Sequence, residues 1–121
     1  MNAINWFEIP VKDMARAKTF YSAVLGQPLS AMPEHEDSYV FLPSAEQGVG
    51  GALTTQDGAE PAGNKGVIVY LNGGDDLAGA LSRVAAAGGQ VTQEKMAIGE
   101  FGHIGFFMDT EGNHVGLHSM G

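Results

Sequence analysis

The sequence predicts an α+β fold in which one strand–helix–strands unit is used twice. The chain has 121 residues, 44% hydrophobic and 17% charged, an ordinary balance for one globular domain. Alternating apolar runs, which mark strands, and apolar residues three and four apart, which mark helices, follow the same order in both halves. That order recurs after about 60 residues.

The first unit opens at Ile4–Val11, where Phe7, Ile9 and Val11 fall on one face and Trp6, Glu8 and Pro10 on the other. Asp13 can then cap a helix whose stripe is Met14, Ala17, Phe20, Tyr21, Val24 and Leu25, with Gly26 and Pro28 to stop it. "SYVFLP" and "GVGGALTT" supply two more strands. The polar, glycine- and proline-bearing stretch that follows has no periodicity and is expected to be a loop at 57–65. In the second unit "GVIVYLN" is a strand, and "DDLAGALSRVAAAGG" is a helix capped by Asp75 or Asp76 and ended by Gly88 and Gly89. "GQVTQ", "HIGFFMD" and "NHVGLHS" are strands, with "DTEGN" turning between the last two. One domain, 1–121, is therefore expected, with a first module at about 1–56 and a second at about 66–121.

The halves can be overlaid. Gly48–Thr55 matches Gly112–Ser119 without a gap, placing Gly48 on Gly112 and Leu53 on Leu117. The same overlay sets Val11 against Leu71 and Trp6 against Gly66.

Composition removes several function classes. There is no cysteine, so disulfides, CxxC redox motifs and thiolate zinc sites are excluded. A net charge of −8 repels phosphates and anionic lipid, so neither nucleic acid nor membrane is an expected partner. No stretch approaches the roughly 20 apolar residues of a membrane span, and the expected location is the cytoplasm. No phosphate-binding glycine loop opens a helix, and no serine or cysteine nucleophile motif is present.

"WFEIPVKDMARAKTFYSAVLG" and "GHIGFFMDTEGNHVGL" together resemble the glyoxalase/bleomycin-resistance/extradiol-dioxygenase superfamily, the vicinal oxygen chelate fold. The resemblance covers nearly the whole chain and rests on the helix ending "FY…VLG" and the D-x-x-G-N turn. It implies two tandem βαβββ modules curled into a half-open barrel around a cavity, commonly completed by a second copy in a homodimer. Fold alone does not assign chemistry. Metal-binding members use His and Glu from the first and last strands of each module, and that pattern falls here on Trp6, Ala52, Gly66 and Gly116. None of these side chains offers a lone pair to a metal, so no metal and no other cofactor is expected.

Strand alternation places other side chains on the same face as those four positions. Trp6, Glu8 and Thr54 are the expected ligand contacts of the first module. Ile68, Tyr70, His114 and His118 are those of the second. Apolar surface with a few polar groups is the usual make-up of a small-molecule pocket. Each residue also has a plainer reading. Glu8 can neutralise a lysine or arginine at a dimer contact instead of serving as hydrogen-bond acceptor or general base. Trp6 can simply pack, the Tyr70 hydroxyl can point to solvent, and His114 lies near a turn. His103 fits a loop or the cavity rim. The leading expectation is a metal-free cavity that binds a small molecule. The alternative is a lyase- or isomerase-like enzyme using Glu8 and His118 as acid and base, or holding a metal on relocated ligands. An interaction module whose dimer surface is its function is a third possibility.

Overall fold

The computed structural model describes residues 2–55, 60–61, 63 and 66–121. The loop expected at 57–65 lies largely outside the described residues. The first module runs β1 (Trp6–Pro10), α1 (Met14–Leu25), β2 (Tyr39–Phe41) and β3 (Gly50–Thr54). The second runs β4 (Tyr70–Asn72), α2 (Leu77–Ala86), β5 (Gln90–Ala97), β6 (His103–Met108) and β7 (His114–Ser119).

Both helices start and stop where the sequence predicts, for local reasons. The Asp13 carboxylate accepts the Arg16 N–H and the Asp76 carboxylate accepts that of Gly79, each satisfying a first-turn donor that has no carbonyl partner. Gly26 ends α1 at φ 68°, a left-handed conformation that glycine adopts without a Cβ clash. The buried residues of α1 are Met14, Ala17, Phe20, Tyr21 and Val24, the predicted stripe with Leu25 at its margin.

The strands form two sheets, ordered β1-β3-β2 and β4-β7-β6-β5, which do not close into a barrel. In each module the first strand lies parallel to the last. The first sheet has three strands, and an isolated antiparallel bridge between Ser30 and Phe41 stands beside β2 in place of a fourth. In the second module β4 is shorter than its apolar run, and β5 continues to Ala97, beyond the stretch that the alternation marks. The β5–β6 register shifts between Val91 and Gln93 and again between Gln93 and Met96. Such irregularities break the period-two pattern from which a strand is read.

The register also corrects the overlay of the two halves. Ile9 faces Leu53 and Leu71 faces Leu117, so Leu71 occupies the place of Ile9, not of Val11. The second-module counterpart of Trp6 is therefore Ile68, and that of Glu8 is Tyr70. A shift of two residues keeps every side chain on its face, whereas a shift of one would have inverted the strand.

A single hydrophobic cluster joins the modules. Phe20 and Tyr21 of α1 pack against Phe107 of β6, with ring centroids 5.6 and 6.3 Å apart. The opposite face of each sheet, carrying Trp6 and Glu8 in one and Tyr70 and His118 in the other, is turned away from this core.

Candidate functional site

On the open face of the first sheet, β1 and β2 flank β3 and present Trp6, Glu8, Tyr39 and Phe41. The Trp6 Nε1–H donates to the Tyr39 hydroxyl at 2.9 Å, and that hydroxyl donates to Glu8 Oε2 at 2.6 Å. The Phe41 ring stands near-perpendicular to both neighbours, 6.0 Å from Trp6 and 5.7 Å from Tyr39. Partial burial and the bond to Glu8 raise the Tyr39 phenol above its ordinary value, so at neutral pH it remains a proton donor. Tyr39 was not singled out from the sequence. Its place on "SYVFLP" puts it on a face with Phe41, but its partner Glu8 is 31 residues away and comes close only through β3.

The second sheet's open face carries Tyr70, His114 and His118. The Tyr70 ring lies 5.5 Å from Phe106, and Phe106 stacks on His114 at 5.3 Å. His114 Nε2 is 3.0 Å from the Thr92 hydroxyl, while its Nδ1 is buried without a hydrogen-bond partner. His118 Nε2 lies 2.6 Å from the Phe101 carbonyl. A carbonyl only accepts, so Nε2 carries the proton there. Ile68 is 42% exposed. Thr54 shares the face predicted for it but is buried beneath its neighbours. His103 opens β6 and is half-buried. Glu8 and His118 thus stand on different sheets with separate partners, and no hydrogen bond joins them among the described residues.

The small residues at the family's metal positions leave space that the protein's own rings partly fill. A Cβ on Gly116 would lie 2.6 Å from Tyr70 Cδ1; beside Ala52 on the same face, one on Gly50, which is not a metal position, would lie 2.9 Å from Trp6 Cζ3. The side chains present do not fit a metal in the superfamily's usual place. Trp6 can only donate, Ala52 and Gly116 have no donor atom, and Ile68, the second-module counterpart of Trp6, has none either. Among the described residues no three His, Asp or Glu side chains gather as a metal-holding group, at that place or relocated to Glu8, His114 and His118.

A cavity of about 1030 Å³ lies between the modules, reached by the Ala45–Val49 turn on one side and by residues 67–76 on the other. Of the predicted contacts it takes in Ile68 and Tyr70.

The two sequence signatures, "FY" in α1 and D-x-x-G-N before β7, meet in one hydrogen-bonded junction. The Tyr21 hydroxyl donates to Asp109 Oδ2 at 2.7 Å, and Asn113 Nδ2 donates to both Asp109 Oδ2 and the Pro10 carbonyl. Glu111, between them in sequence, accepts from the Lys12 and Asp13 backbone N–H groups and from two nitrogens of Arg16. Burial alone would raise the Glu111 carboxyl, but these donors and the Thr110 hydroxyl outweigh it and hold it at about 2. Burial, reinforced by Asp109, pushes the Tyr21 phenol well above its ordinary value. These residues bind module to module and are turned away from the open faces.

Solved structures of the same shape include a glyoxalase/bleomycin resistance protein from Albidiferax ferrireducens, 20% identical, with 98% of each chain covered and a TM-score of 0.75. UcmS2 is 27% identical, with 98% of each chain covered and a TM-score of 0.67. TnmS3, an antibiotic binding protein from a Streptomyces species, is 22% identical, with 98% of this chain and 96% of that one covered and a TM-score of 0.65. No curated protein matches the sequence. The family described as the Glyoxalase/Bleomycin resistance protein/Dioxygenase superfamily matches residues 3–117, nearly the whole chain, and the protein belongs to that superfamily.

Proposed function

We propose that this chain binds a small organic molecule on the open faces of its sheets, without a metal in the superfamily's usual place. A second copy of the chain covers those faces, and the protein works in the cytoplasm. The observation that carries the reading is the aromatic surface turned away from the core. Trp6 and Tyr70 are 43% and 49% exposed; Trp6 is bonded into the Tyr39–Glu8 chain, and Tyr70 lies beside Phe106, which stacks on His114. Exposed aromatics clustered with a few polar groups mark binding surfaces more often than packing ones. The likeness to TnmS3, an antibiotic binding protein, agrees with this reading. Neither nucleic acid nor membrane suits the site, since the net charge is −8 and no helix among the described residues is long and apolar enough to cross a bilayer. Glu8, Thr54, Ile68, His114 and His118 serve here as ligand contacts and walls, and Glu8 and His118 are not required to exchange protons with the ligand.

The test is a screen of small aromatic molecules against the wild-type protein, with light scattering to give its mass in solution. A dimer is expected, together with a ligand whose affinity falls severalfold in Glu8→Gln and in His118→Ala. Unchanged affinity in both variants would overturn the site assignment. About one equivalent of zinc, nickel, manganese or iron per chain, in protein purified without chelator, would overturn the metal-free reading.

A further inference from the structure

We infer that the first-sheet subsite selects organic cations: an ammonium group, free or alkylated, on an aromatic frame. This rests on the small-molecule reading above and specifies the ligand's chemistry. Three rings and one carboxylate converge on the open face. Trp6 and Tyr39 each meet Phe41 near a right angle, at 75° and 83°, so the rings form the walls of a corner rather than a flat stack. Aromatic faces attract a cation placed within about 6 Å of the ring centre. A neutral ligand would gain from the same rings only by contact.

The carboxylate fixes the sign of the charge. Glu8 is exposed, and no lysine, arginine or histidine lies within ion-pair distance of it among the described residues; the single such pair there joins Arg16 to Glu111. Its Oε2 is held by the Tyr39 hydroxyl, itself held by the Trp6 N–H. Both bonds run as donors toward the carboxylate, which orients Glu8 beside the rings and leaves its negative charge without an ion-pair partner among the described residues. Orientation by neutral donors, with no counter-ion among the described residues, is the arrangement that a cationic ligand completes. The net charge of −8 raises the local concentration of such ligands further.

The experiment uses a matched pair of probes, meta-hydroxyphenyltrimethylammonium and meta-tert-butylphenol, which differ by nitrogen for carbon and hence by one charge. Trp6 is the only tryptophan, so its indole N–H resonance in the intact protein reports on this corner alone. The cation is expected to shift that resonance saturably and to bind about tenfold more tightly than the neutral probe, a difference of about 1.4 kcal/mol. In Glu8→Gln the preference is expected to fall to about twofold or less. Tyr39→Phe, which keeps the ring but frees Glu8, is expected to reduce it partway.

Equal affinity for the two probes in the wild type overturns the cation inference and leaves the small-molecule reading standing. A preference that stays near tenfold in Glu8→Gln overturns the assignment of Glu8 as the group that fixes the sign of the charge. If neither probe binds while a neutral polycyclic aromatic shifts Trp6, the inference falls and the broader reading again stands; if nothing shifts Trp6, both fall at this face. Should Glu8→Gln instead convert a dimer to monomer, Glu8 is an interface ion-pair partner and the inference is overturned.

Discussion

Gly116 illustrates how much one missing methyl group can decide. Its Cβ would lie 2.6 Å from Tyr70 Cδ1 and 3.1 Å from Cγ, close to the root of the ring, so a small tilt of the ring edge would not relieve the clash. Tyr70 is half exposed, however, and can swing out as a whole. Gly116→Ala is therefore expected to cost about 1–2 kcal/mol, within the usual range for overpacking. In a Tyr70→Ala background the same change should cost close to nothing. Chemical denaturation of the four proteins in the cycle checks this coupling. A cost unchanged by Tyr70→Ala would mean that the glycine serves the strand backbone and not the ring. The glycine's absence of a metal-binding side chain is legible in the sequence. Its second consequence, the seat it provides for Tyr70, is not, because the register that brings residue 70 over residue 116 is a tertiary fact.

Among the elements, the helices were the most legible. Their caps act through neighbours a few residues away, and both Asp13 and Gly26 stand where local chemistry requires them. Asp13→Ala removes the bond to the Arg16 N–H and is expected to cost about 1 kcal/mol, measurable as a lowered denaturation midpoint with unchanged slope. The strands were legible in face but not in length or register. Phe7, Ile9 and Val11 fall on the core side as alternation predicts, and a two-residue slip in the overlay left every such face intact. The extent of β5 was hidden by its register shifts. The face on which Trp6, Glu8, Tyr70, His114 and His118 stand was legible from the same alternation. Tyr39 was not, since only the β1-β3-β2 order brings it to Glu8 and Trp6.

The whole molecule is a repeat whose two junctions differ. At one, the Asp109–Asn113 turn of the second module clamps the start of α1 through Glu111, Asn113 and Tyr21. The overlay of Gly48 on Gly112 sets Ala45, Gln47 and Val49 in the places of Asp109, Glu111 and Asn113, and the matching helix caps, Asp13 and Asp76, set Gly79 in that of Arg16. None of these can rebuild the clamp, and the cavity of about 1030 Å³ lies where it would be. One junction is therefore ionic and closed, the other open. The closed one carries a definite pH dependence. The Glu111 carboxyl is depressed in the folded chain, from 4.5 to about 2, so its contribution is complete above pH 4.5 and is lost as the pH falls toward 2. The shift corresponds to about 3 kcal/mol, an upper figure because Arg16 reaches into solvent and is screened there. Glu111→Gln keeps the shape but lacks the charge. It is expected to be less stable than the wild type at neutral pH, with the gap closing as the pH is lowered from about 5 to about 2. Urea denaturation of both proteins across that range measures the gap directly, and cancels the other carboxylates that titrate in the same window. A gap that stayed constant with pH would mean that Glu111 holds the modules together through shape and neutral hydrogen bonds, with no contribution from its charge.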